Sequence, residues 1–234
     1  MRLVSLVPSL TESVAHTGFV VGATDYCVHP AGLDVARVGG SKYPDVAAVL
    51  ACEPDLVLAN VEENREQDVT ALRDAGVRVL VTPAPGTVHD ALTVLREVFT
   101  ELDVPVPRWL PEAEQLWAEV PAERVRAVVP VWRRPWVVLG RDTLSGDVLR
   151  RLGVGNVFDE DPERYPRPPL DQLQDADLAV LPDEPYAFTA DDGPEAFPAT
   201  PSALVSGRHL TWWGPSLLEA HGLLRDQLAR TVGS

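Results

Sequence analysis

Short apolar runs bounded by Pro, Gly or Asp recur along the chain, with amphipathic stretches between them. Residues 3–7 (Leu-Val-Ser-Leu-Val) read as a first strand. Pro8 follows, and Ser9 with Glu12 spells a capping box that opens a helix ending near Gly18. Residues 20–24 form a second short strand, and 26–42 a loop punctuated by Gly39 and Gly40. A helix over 45–52 leads into residues 54–60 (Pro-Asp-Leu-Val-Leu-Ala-Asn), whose unbroken apolar run suits a parallel strand buried on both faces. Residues 66–75 form a helix stopped by Gly76, 77–81 another buried strand, and 87–100 a helix with Val88, Ala91, Leu92, Leu95 and Val98 or Phe99 on one face.

After Pro105 and Pro107 a helix is expected over 109–120, and then the alternation resumes. Strands fall at 126–131 and 136–139, a helix at 146–152 and a strand at 177–181. Residues 203–213 read as a strand pair or extended segment, and 216–231 as a terminal helix. Residues 175–181 (Asp-Ala-Asp-Leu-Ala-Val-Leu) echo 53–59 (Glu-Pro-Asp-Leu-Val-Leu-Ala). The expected fold is α/β: two Rossmann-like lobes with central parallel sheets. The first lobe covers 1–107 and the second 123–234, joined by a single bridging helix over 108–122.

The 234 residues, 45% hydrophobic, are enough for two small cores. A formal net charge of -15 repels phosphate backbones and anionic lipid, which argues against nucleic-acid partners. No apolar stretch reaches the roughly 18–20 residues of a membrane helix, so no membrane insertion is expected. Residues 1–2 run straight into the first strand, so no secretory leader is visible. The sequence as it stands reads as cytoplasmic, or as extracytoplasmic with a leader already removed. Two cysteines, Cys27 and Cys52, make no disulfide framework. Lys42 is the single lysine.

Motifs of catalysis are missing: there is no P-loop, no dinucleotide-binding glycine fingerprint, no nucleophile elbow and no His-Glu-x-x-His. The chain reads as a binding protein, not an enzyme, with no required cofactor. Four groups of residues carry candidate chemistry. In Tyr26-Cys27-Val28-His29, Cys27 and His29 would point the same way in extended backbone and could ligate a soft or borderline metal. Asn60 and Glu62 follow a buried strand at the carboxyl end, where α/β sheets bind ligands. Lys42 lies in a glycine-rich loop, able to pair with an anionic ligand group or with Glu62. Trp132, Trp136, Tyr165, Tyr186, Trp212 and Trp213 lie near strand ends and loops, where flat apolar faces suit a broad ligand. If 203–213 is extended, Trp212 and Trp213 point to opposite sides and at most one is buried.

Taken in order, residues 2–12, 38–40, 54–58, 72–81, 146–158 and 170–181 resemble the helical-backbone metal receptor superfamily, the class III periplasmic substrate-binding proteins. The nearest members are the cobalamin- and ferric-siderophore-binding components of ABC importers. The resemblance implies two α/β lobes bridged by one helix, with a corrinoid or iron chelate held between them. It also implies a monomer and, for transport members, an ABC permease as partner. The cleft aromatics of cobalamin-binding members fall on Tyr26, Trp136 and Tyr165; their lobe-one tryptophans fall near Ser41 and Asn60. Their permease-docking glutamates fall near Ala47 and Leu170, so that pair looks absent.

The ligand-binding set is therefore Tyr26, Cys27, His29, Lys42, Asn60 and Glu62 in lobe one, with Trp136, Tyr165, Trp212 and Trp213 in lobe two. A small-molecule metal chelate, first a corrinoid, is the expected ligand. A ferric siderophore or haem is the alternative, for which Arg133, Arg134 and Arg141 are candidate anion partners. A third reading, from another class, is a metal-dependent enzyme or metal chaperone built on Cys27, His29, Glu62 and Glu63.

Overall fold

A computed structural model describes residues 1–232. Its contacts divide the chain into two compact units. The first gathers Met1–Ala84, Leu92–Pro107 and Trp213–Pro215; the second gathers Pro85–Ala91, Arg108–Trp212 and the segment from Ser216 onward.

The first unit is built on a five-stranded parallel sheet. Its strands are β1 (Leu3–Ser5), β2 (Val20–Ala23), β3 (Ala36–Arg37), β4 (Leu56–Asn60) and β5 (Val79–Thr82), in the order β3-β2-β1-β4-β5. Every residue of β1 and β4 is buried, as expected when helices cover both faces of a parallel sheet. Val4, Leu6, Val57 and Ala59 share one face and pack with Val49, Val69 and Leu72. Val49 comes from α2 (Val46–Ala51), capped by the Asp45 side chain; Val69 and Leu72 come from α3 (Glu66–Asp74). Gly76, at φ 83°, stops the chain after α3, as its sequence position predicts.

Helix α1 (Pro8–Val14) begins two residues earlier than a Ser9 cap requires. Pro8 takes the first helical position, where its missing N–H costs nothing, and Val7 becomes the cap residue. The Ser9–Glu12 capping box is therefore not formed. Ser9 sits inside the helix, where its Oγ accepts the Trp213 backbone N–H at 3.1 Å.

In the second unit a four-stranded parallel sheet contains β6 (Val125–Val128), β9 (Val154–Asn156), β10 (Leu178–Pro182) and β11 (Ser202–Val205), in the order β11-β10-β6-β9. The short pair β7 (Pro130–Trp132) and β8 (Val137–Val138) is antiparallel. One continuous strand over 126–131 is not what forms, because Pro130 has no N–H to continue the ladder and the chain starts a new pairing there. Helices α5 (Trp109–Leu116), α6 (Leu144–Arg151), α7 (Gly207–Thr211) and α8 (Leu217–Val232) belong to this unit. Helix α4 (Val88–Glu101) contributes Val88 to Ala91 here and its remainder to the first unit. Among the described residues no helix is long and apolar enough to cross a membrane.

Residues 203–213 are not a strand pair. The chain leaves β11 at Val205, turns at Ser206 and forms α7, so Trp212 and Trp213 do not alternate across a strand. Both are buried, at 8% and 4% exposure.

Candidate functional site

In each parallel sheet the strand order reverses once, between β1 and β4 in the first unit and between β6 and β10 in the second. The carboxyl ends of strands at such a reversal are where open α/β sheets bind ligands.

In the first unit this edge is a fixed polar rim. Asn60, at the end of β4, donates from Nδ2 to Thr82 Oγ1 (3.0 Å) and the Pro83 carbonyl (2.9 Å), while its Oδ1 accepts the Glu62 N–H (2.9 Å). Asn64 closes the turn. Its Oδ1 accepts the Asn60 N–H (2.8 Å), and its Nδ2 donates to the carbonyls of Ser41 (2.8 Å) and Leu6 (3.3 Å). One buried amide thus ties together the turn after β4, the end of β1 and the glycine-rich loop. Asn64 was not among the residues picked out from the sequence; an Asn four residues after a strand-ending Asn was the available signal.

This network presents Glu62 and Glu63. Glu62 is exposed, and Lys42 reaches it by donating from Nζ to its main-chain carbonyl at 3.3 Å. Glu63 is partly buried; burial first, and then the adjacent Glu62 charge, push its carboxyl up to about 7. Tyr26 stands 65% exposed beside the glycine-rich loop, so close to Gly40 that a Cβ there would lie 3.4 Å from its ring. Tyr43, 68% exposed, carries the Arg65 guanidinium over its ring at 4.3 Å.

The chain turns over residues 24–27, closed by the Cys27 N–H to the Thr24 carbonyl at 3.1 Å, and the Val28 N–H then bonds to the Tyr26 carbonyl at 2.9 Å, so Cys27 and His29 do not stand on the strand that their pairing assumed. Cys27 is fully buried, its Sγ 3.0 Å from Thr11 Oγ1 and 3.1 Å from Thr24 Oγ1. Burial pushes this thiol up, against the pull of the two hydroxyls. His29 is partly exposed. Among the described residues no three of His, Cys, Asp and Glu gather as a metal site.

In the second unit the carboxyl edge is aromatic. Trp136 lies parallel to Phe188 (interplanar angle 4°, centroids 6.2 Å apart) and meets the edge of Phe197 at 5.7 Å. Its ring is therefore the margin of the core and only partly open. Trp132 is 46% exposed and packs edge-on against Tyr186 at 5.6 Å. Arg133 lies 5.2 Å over the Trp136 ring and forms ion pairs with Asp192 and Glu195. Tyr165, 38% exposed, belongs to the stretch whose Arg164 and Pro166 carbonyls accept the N–H groups of Gly140 and Val138. Trp212 packs under the Arg208 guanidinium at 5.5 Å, and its side chain bonds to half-buried Glu184. Burial and Asp183 push the Glu184 carboxyl up, against that bond and the neighbouring Arg208 and His209.

The first unit thus brings Asn60, Glu62 and Lys42 together, and the second places Trp136 and Trp132 on one aromatic cluster. Trp212 and Trp213 are packing residues in their own units.

No known protein-family profile matches the sequence. Solved structures do match. The periplasmic vitamin B12 binding protein BtuF of Vibrio cholerae superposes with a TM-score of 0.74 at 16% identity, over 100% of this chain and 98% of that one. A periplasmic haem-binding protein from Pseudomonas aeruginosa gives 0.80 at 22% identity, over 100% and 93%. The periplasmic haem-binding protein BhuT, solved with two haems, gives 0.79 at 23% identity, over 99% and 98%. The fold is that of the class III substrate-binding proteins, as the sequence resemblance implied.

Proposed function

We propose that this protein binds a metal chelate, in the first place a corrinoid, and that binding is its activity. The observation that carries the reading is the exposed aromatic surface at the carboxyl edge of each sheet, Tyr26 on the first and Trp132 on the second. It stands on a fold whose solved examples include proteins for vitamin B12 and haem. A corrinoid is a flat apolar macrocycle fringed with amides. Exposed rings suit the macrocycle, and Glu62, Glu63 and the Asn60 turn suit amide N–H groups. The arginine best placed for an anionic chelate, Arg133, is already engaged by Asp192 and Glu195, which favours the corrinoid over a ferric siderophore or haem. By the sequence resemblance, the docking glutamates of cobalamin-binding members fall near Ala47 and Leu170, so the reading includes no permease docking through that pair.

A visible-absorption titration with cyanocobalamin, dicyanocobinamide, haemin and a ferric hydroxamate tests it. A saturable shift with a corrinoid is expected, weakened roughly three- to tenfold by Tyr26→Ala or Trp132→Ala. No saturable shift with any of the four removes the reading.

A further inference from the structure

A recess opens in the second unit where strands begin, away from the carboxyl edge. Val125 and Val154, the first residues of β6 and β9, stand in its wall. Leu152 precedes β9, and Leu228 and Ala229 come from α8. The cavity holds about 430 Å³, inside the roughly 300–1,000 Å³ range of small-molecule sites. Leu152, Val154 and Leu228 keep only 4–5% of their surface exposed, so the recess is a slot and not an open apolar patch.

Its charged lining is Arg124, Arg225 and Asp226. Arg124 is held in place: its N–H donates to the Gly153 carbonyl and its Nη2 to the Leu152 carbonyl, both at 2.9 Å. Gly153 makes room for this guanidinium, since a Cβ there would lie 2.8 Å from Arg124 Nε. Arg225 is 61% exposed, with Asp226 at 3.5 Å. Two guanidiniums against one carboxylate leave a local excess of one positive charge, on a protein whose net charge is -15.

We propose that this slot binds a medium-length aliphatic or aryl monocarboxylate, its apolar end against Leu152, Val154 and Leu228 and its carboxylate on Arg124 and Arg225. Charge complementarity selects an anion. Asp226 opposes a second negative group, and the apolar walls offer nothing to a polar tail. The inference is independent of the ligand at the carboxyl edges.

The experiment is a calorimetric titration of the full chain with hexanoate, octanoate and decanoate, with octyltrimethylammonium as the charge-reversed probe. Affinity should rise roughly fourfold per added methylene until the slot is full. Arg225→Gln should weaken octanoate about tenfold, and Ala229→Trp should abolish binding by filling the slot. Arg225 and Ala229 are exposed, so both variants should fold. Octanoate should also shift the methyl NMR signals of Leu152, Val154 and Leu228. The proposal is overturned by no saturable binding of any carboxylate, by equal binding of octyltrimethylammonium, or by octanoate affinity unchanged in Ala229→Trp.

Discussion

Replacing Asp147 by Asn tests whether one buried carboxylate organises the start of α6 and the segment beside it. Asp147 keeps 4% of its side chain exposed. Its Oδ2 accepts the Val88 N–H at 2.9 Å and Arg151 Nε at 2.7 Å, and its Oδ1 accepts from Arg150. Arg151 is itself 11% exposed, whereas Arg150 is 52% exposed. The two arginines therefore differ in weight. Arg150→Ala should cost under about 1 kcal/mol, as screened pairs do. Asp147→Asn keeps an acceptor for Val88 but strands the Arg151 charge in a nearly dry place, for about 3 kcal/mol; Asp147→Ala also orphans the Val88 N–H, for about 4–5 kcal/mol. For a chain of this size about 3 kcal/mol lowers the thermal midpoint by roughly 6–12 °C. Burial alone would raise the Asp147 carboxyl, but Arg151, the Val88 N–H and Arg150 outweigh it and hold it below the ordinary 3.8. A depressed acid contributes stability above its unfolded value and loses it as the pH falls through its folded one. The gap between wild type and Asp147→Asn should thus be full at pH 7 and shrink below pH 3.8. Urea melts followed by circular dichroism across that range measure it. A variant within about 0.5 kcal/mol of wild type at pH 7, or a gap indifferent to acid, refutes the assignment.

Glu63, raised to about 7 by burial and Glu62, binds its proton more tightly folded than unfolded, so its contribution to stability falls as the pH rises from 4.5 to 7. Glu63→Gln should therefore melt above wild type at pH 8 and converge with it at acid pH; calorimetry at two pH values suffices, and a lower melting point at pH 8 contradicts the reading. Gly207→Ala should destabilise by about 1–3 kcal/mol despite the better helix propensity of Ala, because a Cβ there would lie 2.4 Å from the Glu184 backbone nitrogen. An unchanged thermal midpoint would show that the Glu184 backbone moves aside freely. In a Cys52→Ser background, Cys27 should react with a disulfide reagent only as fast as the protein opens. Labelling at the rate of a free thiol would contradict its burial.

The alternation of strand and helix was readable because β4 and β10 are unbroken apolar runs with Asp before them, a pattern set by burial on both faces and independent of distant partners. Boundaries depended on finer chemistry. Pro8 moved the cap two residues back, from Ser9 to Val7, and Pro130 split a strand that hydropathy alone would continue. The misread stretch at 203–213 is instructive: its apolar residues fit a strand, but Gly207 lets the backbone approach Glu184 and turn into α7. At the rim, Asn60 and Glu62 were legible from their place after a strand. The role of Asn64 was not, because its partners Ser41 and Leu6 lie 23 and 58 residues away. Cys27 was read as an accessible ligand because sequence spacing does not show the Thr11 and Thr24 hydroxyls that enclose it.

Because Lys42 is the only lysine in the sequence and its ammonium already touches the turn that presents Glu62, amine-directed coupling has a single side-chain address. A fluorophore attached there would sit on the rim of the first unit and could report a ligand's arrival as a change in brightness, with no cysteine to engineer. Immobilising the protein through the same amine would instead turn that rim toward the support.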